Sequence, residues 1–367
     1  MPARRVAGAA MLCLLLAGRA AQADEALPLF QNDEVLKAVL TAPIAQVYAQ
    51  KNQEVRLYHP GMWSYIDGDG NTHKLDVSIR TRGHFRRDYC DLPPLQLNFK
   101  KSQVKGTLFK GQDKLKLVAP CDHGARYQQY VILEYLAYKT FEIITDYSFK
   151  TRLMRLSYVD SEEKMAPWTD MVFVIEDDSD MARRLDLDRL RLSAVEFDEL
   201  DHPRTSLVQM FQFLIANNDY SVIRGGEGQC CHNTQILGLR DDRRGRIPVP
   251  FDFDMSGLVN AAYAAPPTQV PVRDVRQRYF YGLCQADDVL EAAIDHMQSK
   301  RDQIRSLFAN SEQLDKKNKI KSLEYIDSFY AILDSDRRVR MEIVSRCRGR
   351  SHLERMLAAE AESKDPT

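Results

Sequence analysis

The chain has 367 residues, 44% of them hydrophobic and 28% charged, which excludes both a disordered chain and a membrane bundle and allows two lobes or domains. Its 51 basic and 52 acidic residues nearly cancel, so no basic excess favours a nucleic-acid partner.

The first 23 residues read as a secretory signal. Arg4 and Arg5 precede an apolar run through Leu16, and "AQA" precedes Asp24, so cleavage is expected after Ala23. The apolar run is too short to span a bilayer. The expectation is an exported protein, periplasmic or secreted, with no transmembrane segment after cleavage. Cys13 leaves with the signal. Cys90, Cys121, Cys230, Cys231, Cys284 and Cys347 remain, and they permit up to three disulfides whose pairing the sequence does not fix. The run Cys230–Cys231–His232 matches no structural zinc spacing, so oxidised bridges are the simpler account.

Residues 35–100 read mostly as strands, including a hairpin around a turn at 67–71. The "DGDGN" of that turn lacks the placed Gly and the far Glu of a calcium loop. Two more strands follow in "LPPLQLNFKK" and "DKLKLVAP", then a helix over 125–144, then strands in "KTRLMRLSYVD" and "DMVFVIEDD". From residue 205 the pattern turns helical, through "TSLVQMFQFLIANNDY" and amphipathic segments across 272–308 and 315–358. A small strand pair, "NTQILGLR" and "RIPVPFDFDM", lies between them. The predicted organisation is α+β: a β-rich lobe with one helix over 24–200, and a helical lobe holding the hairpin over 201–367, with a cleft between.

Three features carry chemistry. On the 125–144 helix, Tyr127, Tyr130, Glu134, Tyr138 and Phe141 fall at steps of three or four and share a face. An acid inside an aromatic stripe needs a cation. Lys116 is the predicted partner and Lys114 the reserve, both on one face of the preceding strand. The next helix ends at "NND", where Asp219 opposes the helix dipole, which points to a use other than stability. In "PVPFDFDMSG" an extended strand would put Asp252 and Asp254 on one face, with Phe251 and Phe253 on the other. Two anions in aromatic packing call for a cation. Asp219, Asn233 and Asp252 come in the order that phosphoryl transfer needs: a carboxylate to orient the acceptor, then oxygen ligands for a metal on the nucleotide phosphates.

With these positions in place, "SIRTRG", "PPLQLNFKK", "KLKL", "NNDYS", "HNTQIL" and "PFDFDMSG" give residues 75–260 a resemblance to the CotH-type atypical protein kinases. The resemblance implies a protein-kinase-like two-lobed fold, ATP with Mg²⁺ or Mn²⁺, and a protein substrate in the cell envelope or outside. It matches Asp219 to the catalytic Asp, Asn233 and Asp252 to metal ligands, and Asp254 to a second acid; Lys116 with Glu134 would brace the phosphates. "RTRGHFRRD" would cover the nucleotide, with Gly83 its single glycine and Arg80, Arg82, Arg86 and Arg87 in place of backbone amides. The chain departs from the family pattern in that glycine count and in the long "VIRGGEGQCC" between Asp219 and Asn233. Rival expectations are a non-catalytic binding or assembly protein, and transfer of AMP or glutamate.

Overall fold

The computed structural model describes residues 25–226 and 228–355. The expected signal segment and Cys13 lie outside the described residues. In chain order come a 3-10 turn (Pro28–Phe30), β1 (Leu36–Ala42), α1 (Ile44–Ala49), β2 (His59–Ile66), β3 (Thr72–Thr81), α2 (Phe85–Tyr89), β4 (Leu95–Phe99), β5 (Lys114–Val118), α3 (Ala125–Ile144), β6 (Thr151–Asp160) and β7 (Trp168–Ile175). The seven strands close into a barrel in the order β1-β2-β3-β4-β5-β7-β6. All neighbours are antiparallel except β1 and β6, which run parallel with Leu36 opposite Met154 and Ala42 opposite Asp160.

Strand alternation builds the barrel interior. In β3, Leu75, Val77, Ile79 and Thr81 are buried, while the residues between them are more exposed. Trp63, Phe99 and Phe109 fill the centre, with the Trp63 ring 6.1 Å and 5.8 Å from the two phenyl rings in edge contacts. The turn at 67–71 is a hairpin turn, in which the Asp67 carboxylate accepts from the Asp69 and Asn71 backbone N–H groups.

The two-lobed kinase-like fold is not what the chain adopts. The strands read from the sequence exist, but they form a closed mixed barrel, with a separate small sheet among helices. The physical reason is the β1–β6 pairing, which joins the first strand to one over a hundred residues later and leaves the sheet with no free edge. Alternation within a strand carries no information about which distant strand will lie beside it.

After the barrel come α4 (Asp178–Arg184), β8 (Asp188–Leu190), α5 (His202–Ile215), β9 (Thr234–Gly238), β10 (Ile247–Pro250), α6 (Asp287–Ser299), α7 (Arg301–Ala309), α8 (Lys316–Leu333) and α9 (Asp336–Val339). β9 pairs with β10 as expected, and β8 adds a third strand on the other side of β9. The link between barrel and helices is α3. It lies on the outside of β7, where Tyr135 and Tyr138 place their rings 5.9 Å and 5.5 Å from Phe173. Its other side meets α5 through Phe141 and Phe211, 4.7 Å apart. Sandwiched this way, α3 is apolar nearly all round, which is why its Glu134 ends up buried.

Three cysteine pairs are joined: Cys90–Cys121, Cys284–Cys347 and the adjacent Cys230–Cys231. Disulfides accord with an oxidising environment. Among the described residues no helix is long and apolar enough to cross a membrane.

Candidate functional site

Four segments converge where α3 passes under the barrel rim. The first follows α5. That helix is capped by Asp201 and ends at Ala216 in the left-handed region, at φ 51°, which swings Asn217, Asn218 and Asp219 out of the helical line. The second is the run into β9. Asn233, at φ 47°, sits one residue before the strand. The third follows β10, which stops at Pro250; Asp252 then turns left-handed at φ 65°. The fourth is β3's exit, where Gly83 at φ 85° turns the chain into α2.

Asp219 is held on both oxygens. His232 Nε2 lies 2.8 Å from its Oδ1, and Asn233 Nδ2 donates to its Oδ2 at 3.1 Å and to its backbone oxygen at 2.9 Å. Asn233 thereby spends its amide N–H on Asp219 and keeps its amide oxygen for another ligand. The bond to Asp219, together with its charge, raises the His232 imidazole above its ordinary value, against the partial burial of the ring. The Asp252 backbone N–H donates to the Tyr138 hydroxyl at 2.9 Å, which anchors the turned backbone to α3.

Beneath these groups lies a buried ionic cluster. Glu134 and Asp254 are 2% and 4% exposed. Arg86 reaches both, its Nη1 3.6 Å from Glu134 Oε2 and its Nε 3.8 Å from Asp254 Oδ2. Arg86 is fixed from behind. It donates to the Ala119 carbonyl, and the Cys90–Cys121 disulfide ties the end of α2 to the loop before α3. Burial first, and then the charge of Asp252, push the Asp254 carboxyl up to about 6, with Arg86 and the Tyr263 hydroxyl opposing. Burial and the charge of Asp254 also raise Glu134 well above the carboxylate range, again against Arg86. Burial pulls the Arg82 guanidinium down, offset by Asp252.

The predicted residues are thus brought together unevenly. Asp219 and Asn233 touch; Asp252 and Asp254 share one electrostatic neighbourhood with Glu134, Arg82 and Arg86. The premise for the two acids fails, because residues 251–254 are not strand and alternation does not align them. Lys116 does not pair with Glu134. Its Nζ binds Asp178 Oδ1 at 2.7 Å and sits 5.3 Å from the Phe251 ring centroid. Lys114 is exposed. Of the four arginines in the basic turn, Arg82 and Arg86 turn inward, Arg80 stacks on Tyr58, and Arg87 binds Asp88. A Cβ on Gly83 would meet nothing within 4 Å, so this glycine serves its turn rather than a close approach.

Sequence reasoning missed three members. Arg86 as the cation of Glu134 was hidden in a basic run that had no helical reading. His232 was seen only as a neighbour of two cysteines. Tyr263 carried no signal, though its hydroxyl lies against Asp254 and its ring meets Phe85 and Tyr89, at 6.1 Å and 5.8 Å.

Do these residues suit a divalent cation? Among the described residues no three His, Cys, Asp or Glu side chains converge as a ligand set. Magnesium on a nucleotide uses only one or two carboxylates, with phosphate and water oxygens completing the shell. Asp252, Asp254 and the Asn233 amide oxygen supply that reduced set. Arg82 Nε is buried without a hydrogen-bond partner among the described residues, while Asp254 Oδ2 and Arg86 Nε face each other as an ion pair at 3.8 Å, beyond hydrogen-bond reach. An open guanidinium donor on Arg82 beside these acids suits a ligand that carries both a cation and anionic oxygens. The chain matches no model of a known protein family, and no curated protein matches it.

Proposed function

We propose that the chain transfers the γ-phosphoryl group of ATP to a hydroxyl of a protein, with Mg²⁺ or Mn²⁺. On this reading the likeness of its site segments to the CotH-type kinases reflects shared chemistry, carried on a barrel rather than on a two-lobed fold. The observation that carries it is the meeting of half-buried Asp252 and buried Asp254 with Arg82 and Arg86, where Arg82 Nε has no hydrogen-bond partner among the described residues. Asp252, Asp254 and Asn233 hold the cation, which would neutralise charge on the nucleotide phosphates. Arg82 donates to phosphate oxygens, a role guanidinium geometry suits. Arg86 keeps Asp254 in place and is itself held by Glu134 and Ala119. Asp219, positioned by His232 on one oxygen and Asn233 on the other, accepts from the substrate hydroxyl and orients it.

The experiment is calorimetric titration of the purified chain with Mg-ATP and Mn-ATP, beside Asp252→Asn and Asp219→Asn. Binding by the wild type and by Asp219→Asn, lost in Asp252→Asn, is expected. Intact mass of an envelope-protein acceptor should then rise by one phosphate with wild type only. A gain of a nucleotide would assign AMP transfer instead. No nucleotide binding by a folded wild type with either metal would overturn the proposal.

A further inference from the structure

Away from the candidate site, an open cleft of about 880 Å³ runs beside β8. Five arginines line it: Arg183, Arg189, Arg191, Arg240 and Arg246. Only two acids, Asp186 and Asp188, do so. For a chain whose charges almost cancel overall, this is a strong local excess of one sign. Arg191 is exposed and makes no ion pair among the described residues. Arg183 and Arg240 are 64% and 75% exposed, so their pairs with Asp180 and Asp188 are the weak surface kind that an incoming anion can displace. Arg246 differs. It is 6% exposed, donates through Nη1 to the Leu239 carbonyl, and its buried Nε has no hydrogen-bond partner among the described residues.

The shape of the cleft says what the anion is attached to. Seven consecutive residues, Asp186 to Leu192, line it. Three of them, Asp188, Arg189 and Leu190, form β8; side chains of successive strand residues point to opposite faces, so a surface touching all three runs along the strand edge. β8 is an edge strand, paired on one side only, with β9. An edge of this kind accepts an extended peptide backbone. Leu239, 56% exposed in the same wall, adds apolar contact that a peptide can use and a polyphosphate cannot.

We propose that this cleft docks an extended acidic segment of a partner protein, its carboxylates on the arginines and its backbone along β8. The inference holds whatever chemistry the candidate site performs. It also has a route to that site. Arg189 Nη2 lies 3.2 Å from Asp178, whose other oxygen holds Lys116, and Lys116 lies over Phe251 beside Asp252. Two ion pairs and one cation–ring contact thus connect the cleft with Phe251, the residue before Asp252.

The test is fluorescence anisotropy of a labelled ten-residue peptide of alternating glutamate and threonine, titrated with the purified chain. The same peptide with lysine for glutamate is the control. Arg191→Glu with Arg240→Glu is the variant; both side chains are exposed, and circular dichroism confirms its fold. The wild type should bind the acidic peptide at least about tenfold tighter than the control, and the variant should lose at least about tenfold, with binding weakening as salt rises. Equal binding by wild type and variant would overturn the proposal, as would no preference for the acidic peptide. So would displacement by short inorganic polyphosphate that itself binds tighter than the peptide, which would mark a general polyanion site.

Discussion

Arg86→Met tests the buried cluster directly. The substitution keeps the apolar stem and removes the cation that faces both Glu134 and Asp254. Stranding a buried charge costs about 3–5 kcal/mol when one partner of a pair is removed. The chain can limit this loss by taking up protons, since holding a carboxyl neutral costs about 1.4 kcal/mol for each pH unit above its ordinary value near 4. That ceiling is about 4 kcal/mol per group near pH 7 but only about 1.4 kcal/mol near pH 5. Asp254, pushed up to about 6, is already mostly protonated at the lower pH in the wild type, so less remains to lose there. The variant should therefore lose about 3–5 kcal/mol near pH 7 and about 1–2 kcal/mol near pH 5. Urea unfolding at both pH values, read as the change in midpoint at constant slope, measures it. Equal losses at the two pH values would refute the reasoning, because a packing defect does not titrate. Adding Glu134→Gln to the variant should restore part of the loss near pH 7 only.

Cation binding should follow the same carboxyl. A folded-state value of about 6 means that the stability Asp254 contributes is full below the ordinary carboxyl value and is lost as pH rises through 6. A divalent cation needs the ionised form, so the rise in melting temperature on adding Mg²⁺ or Mn²⁺ should grow between about pH 5 and pH 7 and be absent in Asp254→Asn. Gly257→Ala should destabilise by about 3 kcal/mol, the upper end of the usual overpacking cost, in thermal or urea unfolding. Its Cβ would fall 2.3 Å from the Val275 carbonyl oxygen and 2.9 Å from the Arg276 Cα, and backbone on that side cannot retreat. Replacing Cys90 and Cys121 by Ser opens a loop of 31 residues, for an expected loss of roughly 3–4 kcal/mol. Because that bridge holds α2, a further loss in nucleotide affinity is expected; unchanged affinity would show that Arg86 is held by Ala119 and its acids alone.

Local patterns in the sequence reached the elements but not their assembly. Alternation of Leu75, Val77 and Ile79 announced β3, and the turn chemistry of Asp67 announced its hairpin. Steps of three and four announced α3 and the buried place of Glu134. The parallel β1–β6 contact that closes the barrel depends on two segments with no local bond between them. The same limit misassigned the cation of Glu134. Lys116 lies on the strand just before the helix, yet it faces Asp178, while Arg86 arrives from a five-residue helix that a basic run conceals. Asp252 and Asp254 reach one neighbourhood although the strand argument for them does not hold, because β10 ends at Pro250 and the left-handed Asp252 redirects the chain.

That left-handed backbone bears on every mutagenesis result obtained at the site. Ala216, Asn233, Asp252 and Asn260 all have φ between 47° and 65°, and none is glycine. Such conformers cost side chains other than Asn and Asp roughly 1 kcal/mol or more. Alanine at Asn233 or Asp252 would therefore remove a ligand and strain a peptide at once, and the two losses would be reported as one. Exchanging Asn and Asp keeps the left-handed preference and changes only charge and donor pattern. At these two positions the isosteric swap, not alanine, separates chemistry from conformation. Glycine at the same positions is the matching control, since it frees the backbone while deleting the side chain.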